Sequence, residues 1–392
     1  MSSPDLAAAR TAAGAGERIP ALTGLRWWAA LSVFLYHAFS VPGLFPPGVF
    51  GSVVPLVLGP GGAVGVSFFF VLSGFVLTWS ARRPEAARSF WRRRFFRIVP
   101  NHWVCCLLVL ALMLWTANTR DLHHVVQTLL LVQAWSPDFM AAIGLNGVSW
   151  TLSCEVVFYF CFPLLLWLVK KIRPGRLWLW AGVTVLAVFA FPLIASLFPA
   201  QPAMPFGPPV SEAAVWFVER LPLTRMAEFV LGILLARIVQ ERRWIRLPLW
   251  GAWLTAAAGY TVAVFTQGSL YGRVAVMLVP IALLIPAVAQ RDIDGRPSLT
   301  ARRPMVWLGN LAFAFYLLHL MVLEHLAFLF GVDPGWTTSG SVALIALAGG
   351  VAVLSAWLLH NLVEQPVYRR FARPAKRKAP DEAAARAESP AG

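Results

Sequence analysis

Charged residues are scarce in this sequence. Only 13% of its 392 residues are Asp, Glu, Lys or Arg, whereas 58% are hydrophobic. A soluble domain usually carries about twice that charged fraction. The composition therefore excludes an ordinary water-soluble domain and indicates a chain that lies mainly in hydrocarbon. The 18 Trp and 27 Phe, against only six Tyr, fit apolar helices with aromatic residues at the membrane interfaces.

Cysteine is also scarce, with only four residues in the chain. Cys105, Cys106, Cys154 and Cys161 all lie inside apolar stretches, where a thiol behaves as a small hydrophobic group. This excludes a secreted disulfide scaffold and predicts neither a metal site nor a redox role.

Both ends of the chain lack apolar runs. Residues 1–20 are rich in Ala, Gly and Ser and contain no hydrophobic core of a signal peptide. We therefore predict disordered cytoplasmic tails at 1–20 and 371–392. A membrane domain is predicted between them, at 21–370.

Apolar runs long enough to cross a bilayer occur throughout the central region, since a span needs about 20 residues. They fall at 22–41, 62–80, 101–117, 152–169, 177–198, 222–240, 248–266, 272–289, 304–330 and 340–362. The apolar segment 123–135 is too short, and we interpret it as an interfacial or re-entrant piece.

Lys and Arg collect on alternate connections between these runs. Of the 33 basic residues, 27 lie on one side, in the N-terminal tail, at 81–100, 170–176, 237–247 and 290–304, and at 369–378. The positive-inside rule makes that side cytoplasmic. The sequence thus predicts an all-α integral membrane protein of the inner (plasma) membrane, with about ten transmembrane helices and both termini cytoplasmic. Because the membrane topology explains the positive charge, we expect no nucleic-acid partner. The expected partner of the surface is the lipid bilayer.

Titratable groups at membrane depth usually mark function. Arg26 and His37 lie eleven residues apart in the first span, on one helix face and about 16 Å apart along the axis. A basic group at one end and a titratable base at the other would suit a long acyl donor with a phosphate head. Alternatively, Arg26 is an interfacial anchor and His37 an interhelical hydrogen-bonding residue.

The connection 81–100 combines arginines with aromatic residues. Arg94 and Arg97 lie one helical turn apart, just before Pro100. Paired guanidinium groups suit phosphate or pyrophosphate better than lysines would. Positive-inside retention, with these arginines facing water, explains the same residues equally well.

Two further groups lie inside predicted spans. Glu155 follows the polar N-terminal turn of the fourth span; it is either a capping partner of the helix dipole or a functional carboxylate facing Arg or His. Ser73 in the second span is favoured as a packing residue, although a nucleophilic role is conceivable.

Taken together, these segments resemble the acyltransferase 3 family of integral membrane acyltransferases. Four ordered blocks carry the resemblance, with two weaker ones near the C-terminus. They are Leu22–Arg26 with His37, Gly65–Phe75, Arg94–Pro100, Ser149–Glu155 with Tyr159, Tyr316–His319, and Glu364–Pro366. Departures occur at Ser67, where an acidic residue is common, and at Cys154, where an aliphatic one is.

The resemblance implies transfer of an acyl group from acyl-coenzyme A (acyl-CoA), a co-substrate, to a hydroxyl group, with no permanently bound cofactor. It implies that His37 is the general base and that Glu155 is a second catalytic residue. Arg26, Arg94 and Arg97 would bind the coenzyme. For substrate contacts it suggests Ser73, Ser153, Tyr316 and His319.

The acceptor is open between two branches of the family. The absence of an appended extracytoplasmic domain and the block at 149–155 resemble the stand-alone branch that acylates macrolide-type antibiotics. The alternative is O-acetylation of a cell-surface glycan or glycolipid. A transporter or flippase, and a lipid scaffold, are alternatives of other classes.

Overall fold

The computed structural model describes residues 19–40, 49–81, 86–116, 124–205, 210–331 and 337–372. The predicted tails lie almost wholly outside these residues. Ten long helices run through the described part: α1 (Pro20–Ser40), α2 (Gly61–Ser80), α3 (Ala87–Thr116), α4 (Trp150–Lys171), α5 (Leu177–Ala195), α6 (Pro222–Gln240), α7 (Leu249–Thr266), α8 (Ala275–Ile293), α9 (Arg303–Phe330) and α10 (Thr338–Leu359). Each predicted span overlaps one of them.

Short helical pieces connect the long helices. The α-helical pieces are Val49–Leu58, Val125–Leu129, Phe139–Ile143, Glu212–Val215, Leu270–Arg273 and Gln365–Val367. The 3₁₀ turns are Gln133–Trp135, Pro174–Arg176 and Leu299–Ala301, and the π-helical turns are Trp216–Arg220, His360–Glu364 and Tyr368–Ala372. The described residues contain one isolated β-bridge, between Ala203 and Ser211. The predicted all-α membrane class is confirmed.

Eight helical segments of the described chain are long and apolar enough to cross a membrane. Helices α1 and α6 are not among them. In α6, Arg225 and Glu228 form a 3.0 Å ion pair and are at most 1% exposed. Pairing lets these charges lie inside the bundle. The count of ten spans and the cytoplasmic side of both termini stay predictions.

Helix α3 begins fourteen residues before the predicted span at 101–117. The Arg-rich segment assigned to a connection is in fact its first half. Pro100 does not end the helix, and the Asn101 side chain donates a 2.8 Å hydrogen bond to the Arg97 carbonyl oxygen. Arg94 and Arg97 are both partly exposed on this helix, and phosphate binding and interfacial anchoring both stay predictions for them.

Glycines let the central helices approach backbone to backbone. A Cβ at Gly74 on α2 would lie 2.0 Å from the Phe229 carbonyl oxygen on α6, and one at Gly232 would lie 2.0 Å from that of Val71. Further along, Gln240 donates to the Thr78 carbonyl oxygen at 3.2 Å. The two helices therefore run parallel and form the centre of the bundle. Helices α5 and α7 lie outside, with few buried residues.

The segment after α3 folds back along that helix. His102 and Trp103, in the middle of α3, bond to the carbonyl oxygens of Thr128 and Leu129 at 2.8 and 3.1 Å, about 20 Å before the helix ends at Thr116. The α-helix in this folded-back segment, Val125–Leu129, has five residues and cannot span a bilayer. The interfacial or re-entrant character of this segment stays a prediction.

The chain enters α8 later than the predicted 272–289. Arg273 lies in the short helix before α8 and forms a 2.7 Å ion pair with Glu219. Burial alone would raise the pKa of Glu219, but the charges of Arg273 and Arg220 lower it below its ordinary value. The pair thus stays ionised, which neutralises a basic residue on the side where few are found.

Candidate active site

Helix α1 carries Arg26 and His37 on one face, as their spacing predicts. Both are half-buried, so each retains some access to a ligand. His37 Nδ1 lies 3.0 Å from the Val33 carbonyl oxygen one turn earlier. That contact fixes the ring against its own helix.

The nearest polar side chain recorded for His37 is His319 on α9, 282 residues away in sequence. His319 Nε2 lies 3.0 Å from His37 Nδ1, and the ring centroids are 5.0 Å apart. His319 is fully buried, and its Nδ1 lies 2.7 Å from the Tyr316 carbonyl oxygen. The structure therefore unites the predicted base with a residue predicted to contact substrate.

Nearer the starts of α1 and α3, a group of arginines faces α4. The guanidinium carbon of Arg94 lies 5.7 Å from the ring centroid of Tyr159 and 5.5 Å from that of Phe90, as in cation–π contacts. Its Nε is buried and makes no hydrogen bond within the described part of the chain. Arg26 lies within electrostatic range of both Arg94 and Arg97.

Glu155 belongs to this arginine group. Its carboxylate lies within electrostatic range of Tyr159, one turn along α4, and of the three arginines. The Tyr159 hydroxyl is also 3.0 Å from Ser73 Oγ on α2. Glu155 is therefore placed with the predicted phosphate-binding residues, whereas the partner of His37 is a second histidine.

The arginine group carries more positive than negative charge. Three guanidinium groups, those of Arg26, Arg94 and Arg97, share one carboxylate, that of Glu155. Like charges held together away from bulk water are costly unless a counter-charge joins them. This end of the site is therefore suited to an anionic ligand with more than one negative charge.

The remaining predicted substrate residues lie near the N-terminus of α4. The Tyr316 hydroxyl is 3.1 Å from Thr151 Oγ1 and 3.3 Å from the Val148 carbonyl oxygen, so it ties α9 to α4. Ser153 is fully buried, and its hydroxyl makes no hydrogen bond to any described residue. Within the described residues, no hydrogen bond links Ser153 to the arginine group or to the histidine pair.

Tyr159 is a site residue to which the sequence analysis gave no role, although it belongs to one of the family blocks. It lies four residues after Glu155, a spacing that puts both side chains on one helix face. This four-residue spacing is the feature of the sequence that indicates a role for Tyr159 beside Glu155. Within the described residues there is no group of three or more His, Cys, Asp or Glu that could hold a metal ion, and all four cysteines are free thiols.

A helical membrane bundle that holds an arginine group and a histidine pair, to each of which α1 contributes one residue, is a membrane protein with an internal polar site. The family model described as "Acyltransferase domain" matches residues 19–361. The chain belongs to this family, the acyltransferase 3 family. It is a multi-pass membrane protein.

Several curated proteins are similar to this chain in sequence. The acyltransferase MdmB of Streptomyces mycarofaciens is 39% identical over 91% of this chain and 93% of that protein. The putative peptidoglycan O-acetyltransferase YrhL of Bacillus subtilis is 26% identical over 91% of this chain and 56% of that protein. The peptidoglycan O-acetyltransferase OatA of Listeria monocytogenes is 25% identical over 41% of this chain and 26% of that protein. No solved structure matches.

Proposed function

We propose that this protein is a membrane O-acyltransferase that moves an acyl group from acyl-CoA to a hydroxyl group of a small acceptor. The observation that carries the proposal is the arrangement along α1. An excess of positive charge gathers around Arg26, and a half-buried histidine, His37, lies three turns further along the same face. A donor with a phosphate-bearing head and an extended thioester arm fits this arrangement, with the head at the arginines and the thioester at His37.

In this proposal the arginine group holds the phosphates of the coenzyme. Arg94 and Arg97 on α3, with Arg26 on α1, supply planar donors that match phosphate oxygens. Glu155 and Tyr159 hold these guanidinium groups in place, which gives Glu155 a role at the donor end. The thioester arm then extends along α1 toward His37.

His37 acts as the general base. Its free ring nitrogen takes the proton of the acceptor hydroxyl while the hydroxyl oxygen attacks the thioester carbonyl carbon. The carbon–sulfur bond breaks, and the proton passes from His37 to the departing thiolate to give the free thiol of coenzyme A. An imidazole is the side chain whose ordinary pKa, near neutrality, suits both proton transfers.

A macrolide-type antibiotic is the acceptor we favour. Identity to the acyltransferase MdmB of a Streptomyces species is 39% over 93% of that protein, against 26% over 56% of the putative peptidoglycan O-acetyltransferase YrhL. The block at 149–155 also resembles that of the branch that acylates macrolides. Acetylation of a surface glycan is the second candidate, supported by the names of YrhL and OatA.

The proposal is tested with membranes that contain the overexpressed protein. They are incubated with radiolabelled acetyl-, propionyl- and butyryl-CoA and with macrolide, oligosaccharide and lipid acceptors. We expect label in a macrolide ester. Label only in oligosaccharide would favour the second candidate, and no acceptor-dependent label with any pair would contradict acyl transfer.

Replacing Arg94 or Arg97 by lysine is expected to raise KM for acyl-CoA by about tenfold to about a hundredfold, with a smaller change in kcat. Lysine keeps the charge but loses the forked donors, and hydrogen bonds to charged groups contribute about 1.5–3 kcal/mol. The measurement is initial rate against acyl-CoA concentration.

The matched control is Arg92→Lys, an exposed arginine on the same helix, which should leave KM unchanged. Unaltered KM in both the Arg94 and the Arg97 variants would show that these residues do not bind the donor through bidentate contacts.

A further inference from the structure

The histidine pair joins two helices that run side by side. Helices α1 and α9 are parallel: they touch at Gly24 and Gly309 near their starts and at His37 and His319 further along. His37 is partly exposed, whereas His319 is fully buried. Only His37 of the pair is open to a substrate.

Backbone carbonyl groups determine the protonation of each ring. The Tyr316 carbonyl oxygen lies 2.7 Å from His319 Nδ1, and that of Phe315 lies 3.3 Å away. A carbonyl oxygen only accepts, so Nδ1 of His319 carries the hydrogen. In the neutral ring the lone pair is then on Nε2, the atom that faces His37.

The same reasoning applies to His37. Its Nδ1 lies 3.0 Å from the Val33 carbonyl oxygen and 3.0 Å from His319 Nε2. Both neighbours accept, so Nδ1 of His37 carries the hydrogen and shares it between them. The Nε2 atom of His37 is consequently unprotonated in the neutral ring, which is the state a general base requires.

We infer that His319 is a positioning residue: it accepts the Nδ1 hydrogen of His37, holds His37 Nε2 as the proton acceptor, and supports the charge formed when His37 becomes protonated. The inference deepens the proposed function and rests on it. No bond to His319 forms or breaks. The acceptor proton goes to His37 Nε2 and then to the coenzyme A thiolate, as described above.

A neutral acceptor suits this depth in the membrane. A catalytic histidine is commonly oriented by a carboxylate, and a carboxylate inside a bilayer is costly. The recorded neighbours of the His37 ring are His319, Tyr36 at 4.9 Å between ring centroids, and the Val33 carbonyl. Among these three neighbours the second imidazole, His319, holds the position that a carboxylate holds in such a pair.

Three substitutions distinguish the two contacts of the His319 ring, Nε2 with His37 and Nδ1 with the Tyr316 carbonyl oxygen. In His319→Gln, the amide oxygen can occupy the position of Nε2 and accept from His37. In His319→Asn, the shorter amide can reach the Tyr316 carbonyl but not His37. His319→Leu removes both contacts. Initial rates are measured with the macrolide and acyl-CoA pair that the wild-type protein uses fastest.

We expect kcat to fall about a hundredfold or more in the Leu and Asn variants, because losing control of a catalytic tautomer can cost up to about 10⁴-fold. The Gln variant should stay within about tenfold of wild type. KM for acyl-CoA should not change in any of them. A merely structural role predicts instead that Gln and Asn behave alike or that all losses follow protein yield.

Nitrogen-15 NMR of the His37 ring in detergent gives a readout that does not depend on activity. The wild-type protein should show the Nδ1-protonated form, and a proton on Nε2 of the neutral ring would overturn the inference. Full kcat in a folded His319→Leu protein would also overturn it. Failure of the proposed function is a distinguishable result, because the wild-type protein would then show no acceptor-dependent label with any donor and acceptor pair.

Discussion

Replacing His37 by alanine is expected to lower acyl transfer by about 10²-fold to about 10⁴-fold, the range that general-base catalysis contributes. His37 is the titratable side chain at the far end of α1 from the arginine group, and its ring pairs with His319. Without it, the acceptor hydroxyl has no group to take its proton. The measurement is the rate of label transfer by purified membranes.

Donor binding should survive that substitution, because Arg26, Arg94 and Arg97 are untouched. KM for acyl-CoA is therefore expected to change little while kcat falls. His325→Ala is the matched control: His325 lies on α9 near His319, and its ring nitrogen contacts only the Met321 carbonyl among the hydrogen bonds recorded for it. Full activity in the His37 variant, at equal protein level, would rule out His37 as the base.

Most helix positions could be predicted because the bilayer fixes the length of an apolar run. The predicted 304–330 and the observed α9, Arg303–Phe330, differ by one residue. The prediction for α3 missed the first half of the helix, which holds Arg94 and Arg97. Hydropathy excludes arginines from a span, whereas the folded bundle accommodates them beside Glu155 and Tyr159.

The two ends of the site differ in how far the sequence could predict them. Arg26 and His37 lie on one helix face, and the helical repeat of 3.6 residues per turn is enough to predict that. The contact between His37 and His319 joins residues 282 positions apart and depends on how α1 packs against α9. Sequence periodicity describes one helix at a time and cannot give that contact.

The crossing of α1 and α9 gives the prediction with the largest effect on folding. A Cβ at Gly309 would lie 1.9 Å from the Thr23 carbonyl oxygen, and one at Gly24 would lie 1.9 Å from that of Thr300. Backbone atoms cannot turn away as a flexible side chain can. Because overpacking in a core already costs about 1–3 kcal/mol, Gly309→Ala is expected to exceed that range and to prevent recovery of folded protein.

Gly182→Ala on α5 is the matched control, because nothing lies within 4 Å of a Cβ there and alanine favours a helix by about 1 kcal/mol over glycine. The two variants are compared by the yield of monodisperse protein in size-exclusion chromatography and by the thermal midpoint in detergent. We expect Gly182→Ala to match or exceed the wild type. Equal stability of Gly309→Ala would contradict the close crossing, and with it the packing that brings His319 to His37.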